Sequence, residues 1–201
     1  MNTPADTTSG SAHKRSSARI STKDIVLIGM FCAVLTAISQ ISLPMPTGVP
    51  ITIQLFGVAL VGAVLGWKRA VYTTVVYILL GAVGLPVFSN FRGGLSVLTN
   101  VTGGYILAWP LMAALCGVNI PSYRFKPGVA FMISIALAVI SVLIDDAAGG
   151  LQWAMLSGEQ TFGMIMAYSF IAFIPKDIAL AVLAMVIGKQ IRKVLVRGGY
   201  L

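Results

Sequence analysis

The sequence predicts an all-α integral membrane protein, a compact bundle of six transmembrane helices. Apolar residues make up 57% of the 201 residues, charged residues only 10%, and the mean hydropathy is +0.91. A soluble domain does not need so much apolar surface for its core. Beyond the polar start of the chain, six helices of about 20 residues each fit with short loops between them.

The polar segment 1–23 precedes the first apolar run. It is rich in Ser, Thr and basic residues, and it lacks the apolar core and the small-residue cleavage site of a secretory signal peptide. We expect a disordered basic cytoplasmic tail, followed by a membrane domain over 24–201. The tail contains His13, the only histidine of the chain, so histidine-ligated metals and Ser-His catalysis within the membrane are not expected. We expect no cofactor and no metal.

Six apolar runs predict the spans. They cover 24–43, 53–67, 70–87, 103–118, 127–144 and 175–195. The run over 161–174 is too short to cross a bilayer and is expected to form an outer-leaflet or re-entrant piece. Cys32 and Cys116 fall inside apolar runs, where a thiol behaves as a small hydrophobic group, so neither a disulfide nor a metal site is predicted.

Basic residues predict the orientation. With both termini on one side of the membrane, twelve of the fourteen Lys and Arg residues fall on that side, and the positive-inside rule makes it cytoplasmic. Because the net charge of +8 is distributed in this way, it indicates a multi-pass protein of the cell membrane and no nucleic-acid partner. Arg92 and Lys176 remain for the outer side. Their expected ion-pair partners there are Asp145, Asp146, Glu159 and Asp177.

Lys176 and Asp177 place two opposite charges inside an otherwise uncharged apolar stretch. An ionisable group in the membrane interior costs roughly 2.5 to 3.5 kcal/mol on insertion scales, so the pair indicates a ligand-binding site. The alternative is a helix start with a stabilising acid. Pro175 suits the first turn of a helix, and the helix dipole favours an acid in that turn.

Two outer loops carry further candidate ligand groups. The first is rich in proline and leads to Gln54, whose amide can donate and accept hydrogen bonds; a rigid connector is the alternative. The second contains Asn90 and Arg92. Aromatic walls with a few polar groups are the usual design of a small-ligand pocket, although each aromatic taken singly is alternatively a packing residue or an interfacial anchor. The candidate walls are Phe88, Phe91, Tyr105 and Trp153.

Small residues recur every four positions on the first span, at Gly29, Ala33 and Ala37. Such a stripe lets another helix approach closely. The stripe has two interpretations: it packs within the protein's own bundle, or it contacts a partner protein. Gly62 and Gly66 form a second small-residue pair that would serve the bundle.

Four motifs occur in order along the chain, namely Pro50-Ile-Thr-Ile-Gln54, Gly84-Leu-Pro-Val-Phe88, Thr102-Gly-Gly-Tyr105 and Pro175-Lys-Asp177. Together they resemble the BioY family, the biotin-binding S components of energy-coupling factor (ECF) transporters, over roughly 25–194. The resemblance implies a six-helix subunit, not an enzyme, that captures biotin on the outer side. It also implies as partners a transmembrane T component, which contacts the small-residue stripe, and two ATPase subunits.

By position, the resemblance implies that Asn90 and Asp177 bind the ureido end of biotin, with Gln54 close by. A cyclic urea has N–H donors for a carboxylate and a carbonyl that an amide can donate to. The sequence departs from the family where Lys176 replaces a common glycine and Leu180 a common lysine. The usual partner of the biotin carboxylate is therefore missing, and Lys176 and Arg92 are the candidate substitutes.

Other functions make different predictions. Competition binding with other vitamins would identify an S component for another vitamin. Uptake without ATPase partners would identify a carrier that works alone. An intramembrane hydrolase would need a nucleophile with a base, and a structural scaffold would bind no ligand. The chain has no phosphate-binding motif of the G-x-x-x-x-G-K-[ST] type, so ATP hydrolysis is expected on a partner.

Overall fold

The structure is a computed structural model that describes residues 21–45, 49–120, 125–158 and 162–201. The predictions for residues 1–20 and for Glu159 lie outside this part of the chain. Two short strands, β1 (Ser42–Leu43) and β2 (Ile51–Thr52), pair antiparallel between the first two helices. The described helices are α1 (Thr22–Ser39), α2 (Gln54–Leu65), α3 (Trp67–Ala82), α4 (Leu95–Thr99), α5 (Gly103–Cys116), α6 (Pro127–Leu156), α7 (Phe162–Ala172) and α8 (Ile174–Arg197).

Helix α2 is the centre of the bundle. Ten of its twelve residues are buried, and it packs against α1, α3, α5 and α8. A helix that is apolar on every face is stable only when other helices surround it. A Cβ added at Gly62 would lie 2.7 Å from the carbonyl oxygen of Ala113 in α5. Gly62 therefore allows close packing inside the bundle, as predicted for the second pair of small residues.

The described helices differ in whether they are long enough to span a membrane. Only α1 and α6 among the described helices are by themselves long and apolar enough to cross a membrane, and α7 with α8, joined at a 41° bend, forms a third candidate. Helices α2 and α5 are apolar but have only 12 and 14 residues. The all-α membrane bundle is confirmed, whereas helix length does not establish six spans.

Several helix boundaries differ from the predicted spans. Helix α1 begins at Thr22 and ends at Ser39, where the prediction was 24–43, and α3 covers Trp67–Ala82, where the prediction was 70–87. Helix α6 continues to Leu156 and does not end at residue 144. Asp145 and Asp146 interrupt the apolar run and so predicted a helix end, but both lie inside α6 and are 1% exposed. Neither of them forms the expected ion pair with Arg92 or Lys176 in the described residues.

The two ends of the bundle differ in charge. Of the ten basic residues in the described ranges, eight lie at the end where α1 begins and α8 ends. Contacts bring these segments together: Lys23 Nζ donates to the carbonyl of Gly199 over 3.2 Å, and Arg69 pairs with Asp24 over 2.5 Å. We call this the inner end, following the positive-inside rule. Arg92 and Lys176 lie at the opposite, outer end.

Candidate functional site

A cavity lies at the outer end of the bundle, between α5, the first turns of α2 and α8, and the segment that precedes α4. Its volume is about 70 Å³. The aromatic side chains in its wall are Phe88, Tyr105, Trp109 and Phe173. The amide and charged side chains in its wall are Gln54, Arg92, Asp145, Lys176 and Asp177. The cavity thus combines aromatic faces with a few convergent polar groups, as a small-ligand site requires.

Lys176 and Asp177 lie in the first turn of α8 and face this cavity. The ammonium group of Lys176 donates to the Asp177 carboxylate, and it also donates to the carbonyl of Thr52 in β2 over 3.1 Å. Asp177 is 4% exposed. Removing Lys176 would leave this buried carboxylate without its counter-charge, which is destabilising. The pair therefore fixes the start of α8 against β2 while both groups line the cavity.

The carbonyl of Val87 joins three helices beneath the cavity. Gln54 Nε2 at the start of α2 donates to the Tyr77 hydroxyl over 2.8 Å, and that hydroxyl donates to the Val87 carbonyl over 2.6 Å. Ser39 Oγ, at the end of α1, donates to the same carbonyl over 2.6 Å. These bonds hold the segment that carries Phe88 into the wall, where its ring packs edge-on against Tyr77.

Tyr77→Phe is expected to weaken both the fold and the site. The variant removes the only donor of the Tyr77 side chain and leaves the buried Gln54 amide without its acceptor, which costs about 1 to 3 kcal/mol. We expect a lower unfolding temperature and a weaker ligand affinity, measured on the detergent-purified protein. Tyr72→Phe is the matched control because Tyr72 is 50% exposed. Equal unfolding temperatures for the two variants would contradict this role of Tyr77.

Close contact between α5 and α6 places Tyr105. A Cβ added at Gly104 would lie 2.4 Å from the carbonyl oxygen of Ala148, and one added at Gly149 would lie 2.2 Å from the Tyr105 ring. The two glycines therefore let the helices touch backbone to backbone. The Tyr105 hydroxyl lies 2.9 Å from Ser169 Oγ of α7, within hydrogen-bond distance. The Thr-Gly-Gly-Tyr motif thus has a physical reason, because it seats an aromatic wall between α6 and α7.

Three predicted site residues lie outside the cavity wall. Asn90 is exposed, has a left-handed backbone (φ 58°), and accepts a hydrogen bond from Ser42 Oγ over 2.9 Å. Phe91 is 72% exposed. Trp153 is buried in a second cluster behind the wall, where it packs edge-on against Tyr168. The other predicted ligand residues, Gln54, Phe88, Arg92, Tyr105, Lys176 and Asp177, come together around the cavity.

Comparison with known proteins identifies the family. The family model described as the BioY family matches residues 11–197. The chain belongs to the BioY family. The probable biotin transporter BioY of Pyrococcus horikoshii is 31% identical over 170 residues, covering 85% of this chain and 96% of that protein. The biotin transporter BioY of Rhizobium etli is 34% identical over 182 residues, covering 86% and 94%.

A solved structure shares the fold of this BioY chain. The S-component for biotin from an ECF-type ABC transporter matches with a TM-score of 0.76 at 23% identity, covering 85% of this chain and 91% of that chain. At this identity the likeness concerns the fold. The resemblance to BioY seen in the sequence motifs is confirmed, and so is the helical membrane architecture.

Three aromatic or charged residues of the cavity wall were not among the predicted ligand residues of this BioY chain: Trp109, Phe173 and Asp145. Trp109 follows Tyr105 by four residues, a spacing that puts both on one face of α5 and that would have identified it. Phe173 immediately precedes α8, and nothing in the sequence distinguished it from the other apolar residues there. Asp145 was predicted to lie on the outer side as an ion-pair partner, just beyond the end of a span. It is 1% exposed, and its Oδ1 has no hydrogen-bond partner in the described residues.

The small-residue stripe of BioY lies on the outside of the bundle. Gly29, Ala33 and Ala37 are all exposed on α1, and a Cβ added at Gly29 would meet no atom within 4 Å. Of the two interpretations of this stripe, packing within the described bundle is therefore wrong. The stripe is free to face lipid or another helix.

Proposed function

We propose that this protein is the biotin-capturing S component of an ECF-type importer, and not an enzyme. The observation that carries the proposal is the Lys176–Asp177 pair, whose carboxylate is buried, in the wall of an aromatic cavity at the outer end of the bundle. The names of its relatives, biotin transporter BioY and S-component for biotin, support the ligand. The protein would lie in the cell membrane as a multi-pass subunit, with energy supplied by a T component and two ATPase subunits.

The ureido ring of biotin would bind at the buried, acidic side of the cavity. Asp177 accepts one ureido N–H, and Asp145, whose Oδ1 has no hydrogen-bond partner in the described residues, is placed to accept another. The rings of Tyr105 and Trp109 then cover the apolar bicyclic system. A carboxylate acceptor for each N–H matches the donor pattern of a cyclic urea.

The cavity must widen to admit the ligand. Its volume of about 70 Å³ is below the roughly 300 to 1,000 Å³ of ordinary ligand sites. The segment with Asn90 and Phe91 is the wall best suited to move, since both residues have positive φ angles of 58° and 56°. Such conformations cost about 1 to 3 kcal/mol each in non-glycine residues. An inward turn of this segment would bring Asn90 to the ureido group, as the family resemblance implies.

Arg92 is the better partner for the biotin carboxylate. The ammonium of Lys176 already contacts Asp177, and a ligand whose ureido end binds Asp177 has its carboxylate at the far end of a pentanoate chain. Lys176, which lies beside the ureido end, therefore cannot also bind the carboxylate. Arg92 also lines the cavity, it is exposed, and the one hydrogen bond of its guanidinium in the described residues is a long 3.5 Å contact with the Ser89 carbonyl.

Titration with biotin tests the function itself. We expect saturable, submicromolar binding to the detergent-purified protein, read by calorimetry and by the fluorescence of Trp109 in the cavity wall. A folded wild-type protein that binds no biotin would reject biotin as the ligand and favour another vitamin.

Arg92→Gln is expected to weaken biotin binding about tenfold, the lower range for a hydrogen bond to a charged group. The same variant should bind the neutral amide of biotin as well as the wild type does, because the amide lacks the carboxylate. Lys193→Gln, an exposed charge at the inner end, is the matched control and should change neither affinity. If Lys176→Gln, and not Arg92→Gln, abolishes the preference for biotin over its amide, the carboxylate assignment is wrong.

Ala33→Trp is expected to prevent assembly with the T component while leaving biotin affinity unchanged. The substitution fills the exposed stripe of α1 but is remote from the cavity wall. Copurification of the T component and biotin titration are the two measurements. Ala136→Trp, on an exposed position of α6, is the matched control and should assemble normally. Normal assembly of Ala33→Trp would remove the partner role of the stripe.

A further inference from the structure

A second cavity, of about 310 Å³, lies at the inner end of the bundle. It is formed where α1 begins, where α2 passes into α3, and where α8 crosses them. Its charged side chains are Asp24, Lys68, Arg69 and Arg192. Asp24 is already paired with Arg69, so two cations remain without a counter-ion among the described lining residues. This inner cavity belongs to no part of the biotin site.

The polar groups around the inner cavity are mostly hydrogen-bond donors. The Arg192 guanidinium, which has five N–H groups, makes one hydrogen bond in the described residues, to the Val64 carbonyl over 2.7 Å. Arg69 uses its Nε on Asp24, and its two terminal nitrogens make no hydrogen bond within the described ranges. The ammonium of Lys68 lies 5.4 Å above the Trp67 ring and has no hydrogen-bond acceptor in the described residues. Several free donors and excess positive charge favour an anion with several oxygens.

The position of the cavity indicates where this anion comes from. Trp67 and Tyr72 line it and are 51% and 50% exposed, as aromatic residues at a membrane–water interface are. Ile28 and Leu65 add apolar surface beside the charges. Basic cavities between helices on the cytoplasmic side suit anionic lipid head groups. A zwitterionic head group fits poorly, because two uncompensated cations repel its choline.

We propose that the inner cavity binds a phosphate group, that of an anionic phospholipid in the cytoplasmic leaflet. Arg192 and Lys68 hold the phosphate oxygens, Arg69 lies beside them with Asp24 keeping it in position, and the two exposed aromatics contact the glycerol region. The lipid would tie the α2–α3 junction to α8 and so brace the inner end of the bundle.

The test uses the full-length protein, delipidated in neutral detergent. It is titrated in separate arms with phosphatidylglycerol, phosphatidylcholine and inorganic phosphate. Unfolding temperature and lipid retention in native mass spectrometry are the measurements. We expect phosphatidylglycerol alone to be retained and to raise the unfolding temperature, with an affinity that falls as salt is added. Lys68→Gln, an exposed position, and Arg192→Gln should each weaken retention about fivefold, or about 1 kcal/mol per basic residue near a membrane surface.

Lys193→Gln and Arg197→Gln are the matched controls. Both remove an exposed charge from α8 at the same end of the bundle but outside the cavity lining, and they should retain the lipid as the wild type does. Equal retention of phosphatidylcholine, or full retention by Lys68→Gln, would overturn the proposal. If inorganic phosphate reproduces the whole effect, the proposal that the phosphate belongs to a lipid is wrong.

Discussion

Asp177→Asn is expected to raise the dissociation constant for biotin by one to two orders of magnitude. The substitution removes the carboxylate that accepts a ureido N–H in the proposed complex, and it leaves the Lys176 ammonium without its counter-ion at the cavity wall. A hydrogen bond to a charged group contributes about 1.5 to 3 kcal/mol, and each 1.4 kcal/mol is a tenfold change in affinity. Calorimetric titration of the purified variant measures the effect.

The control for this variant is Asp24→Asn. Asp24 is also an acid paired with a basic side chain, but it lies at the inner end and its side chain is 20% exposed. Its amide variant should bind biotin as tightly as the wild type does. A folded Asp177→Asn protein, checked by its unfolding temperature and helix content, that still binds biotin at wild-type affinity would disprove the assignment of Asp177.

Gly104→Ala is expected to disrupt the contact between α5 and α6 and to abolish biotin binding with it. The added Cβ would lie 2.4 Å from the backbone carbonyl of Ala148, which cannot rotate away as a flexible side chain can. The helices must therefore separate, and Tyr105 moves out of the wall. Overpacking of this kind costs about 1 to 3 kcal/mol and sometimes more. The unfolding temperature and the biotin affinity should both fall.

Gly128→Ala is the control that distinguishes the effect of helix packing from the effect of helix propensity. Gly128 lies in the first turn of α6, where an added Cβ would meet no atom within 4 Å. Alanine favours a helix over glycine by about 1 kcal/mol, so this variant should be as stable as the wild type or slightly more stable. If Gly104→Ala and Gly128→Ala have the same unfolding temperature, α5 and α6 do not make the close backbone contact at Gly104 that the structure shows.

Hydropathy predicted the helices well but their ends less well. The apolar runs predict α2, α5 and α8 to within two residues, because loops at these points are marked by Gly or Pro. Helix α6 was predicted twelve residues too short, since Asp145 and Asp146 look like the end of a span in a one-dimensional profile. Burial of those acids depends on the helices packed around them, which no single stretch of sequence contains.

The site could be predicted only in part for a related reason. Motifs identified the segments that form the cavity, and the Lys176–Asp177 pair was identified by its cost in an apolar stretch. Which side chain of a segment faces the cavity depends on the rotation of its helix or the turn of its loop. Asn90 is exposed in a left-handed turn of its loop, and Trp153 packs behind the wall on α6. Neither orientation follows from residue type.

The Val87 carbonyl connects the cavity to the helix on which the proposed T component would dock. It accepts hydrogen bonds from Tyr77, beneath the cavity, and from Ser39, at the end of the helix whose outer face carries the small-residue stripe. If a bound ligand shifts this carbonyl, α1 shifts with it, and the proposed T component would meet a different surface. Thermodynamic reciprocity then requires docking of the T component to change biotin affinity by the same factor by which biotin changes docking. A single main-chain oxygen would thereby couple occupancy of the cavity to docking of the proposed partner on α1.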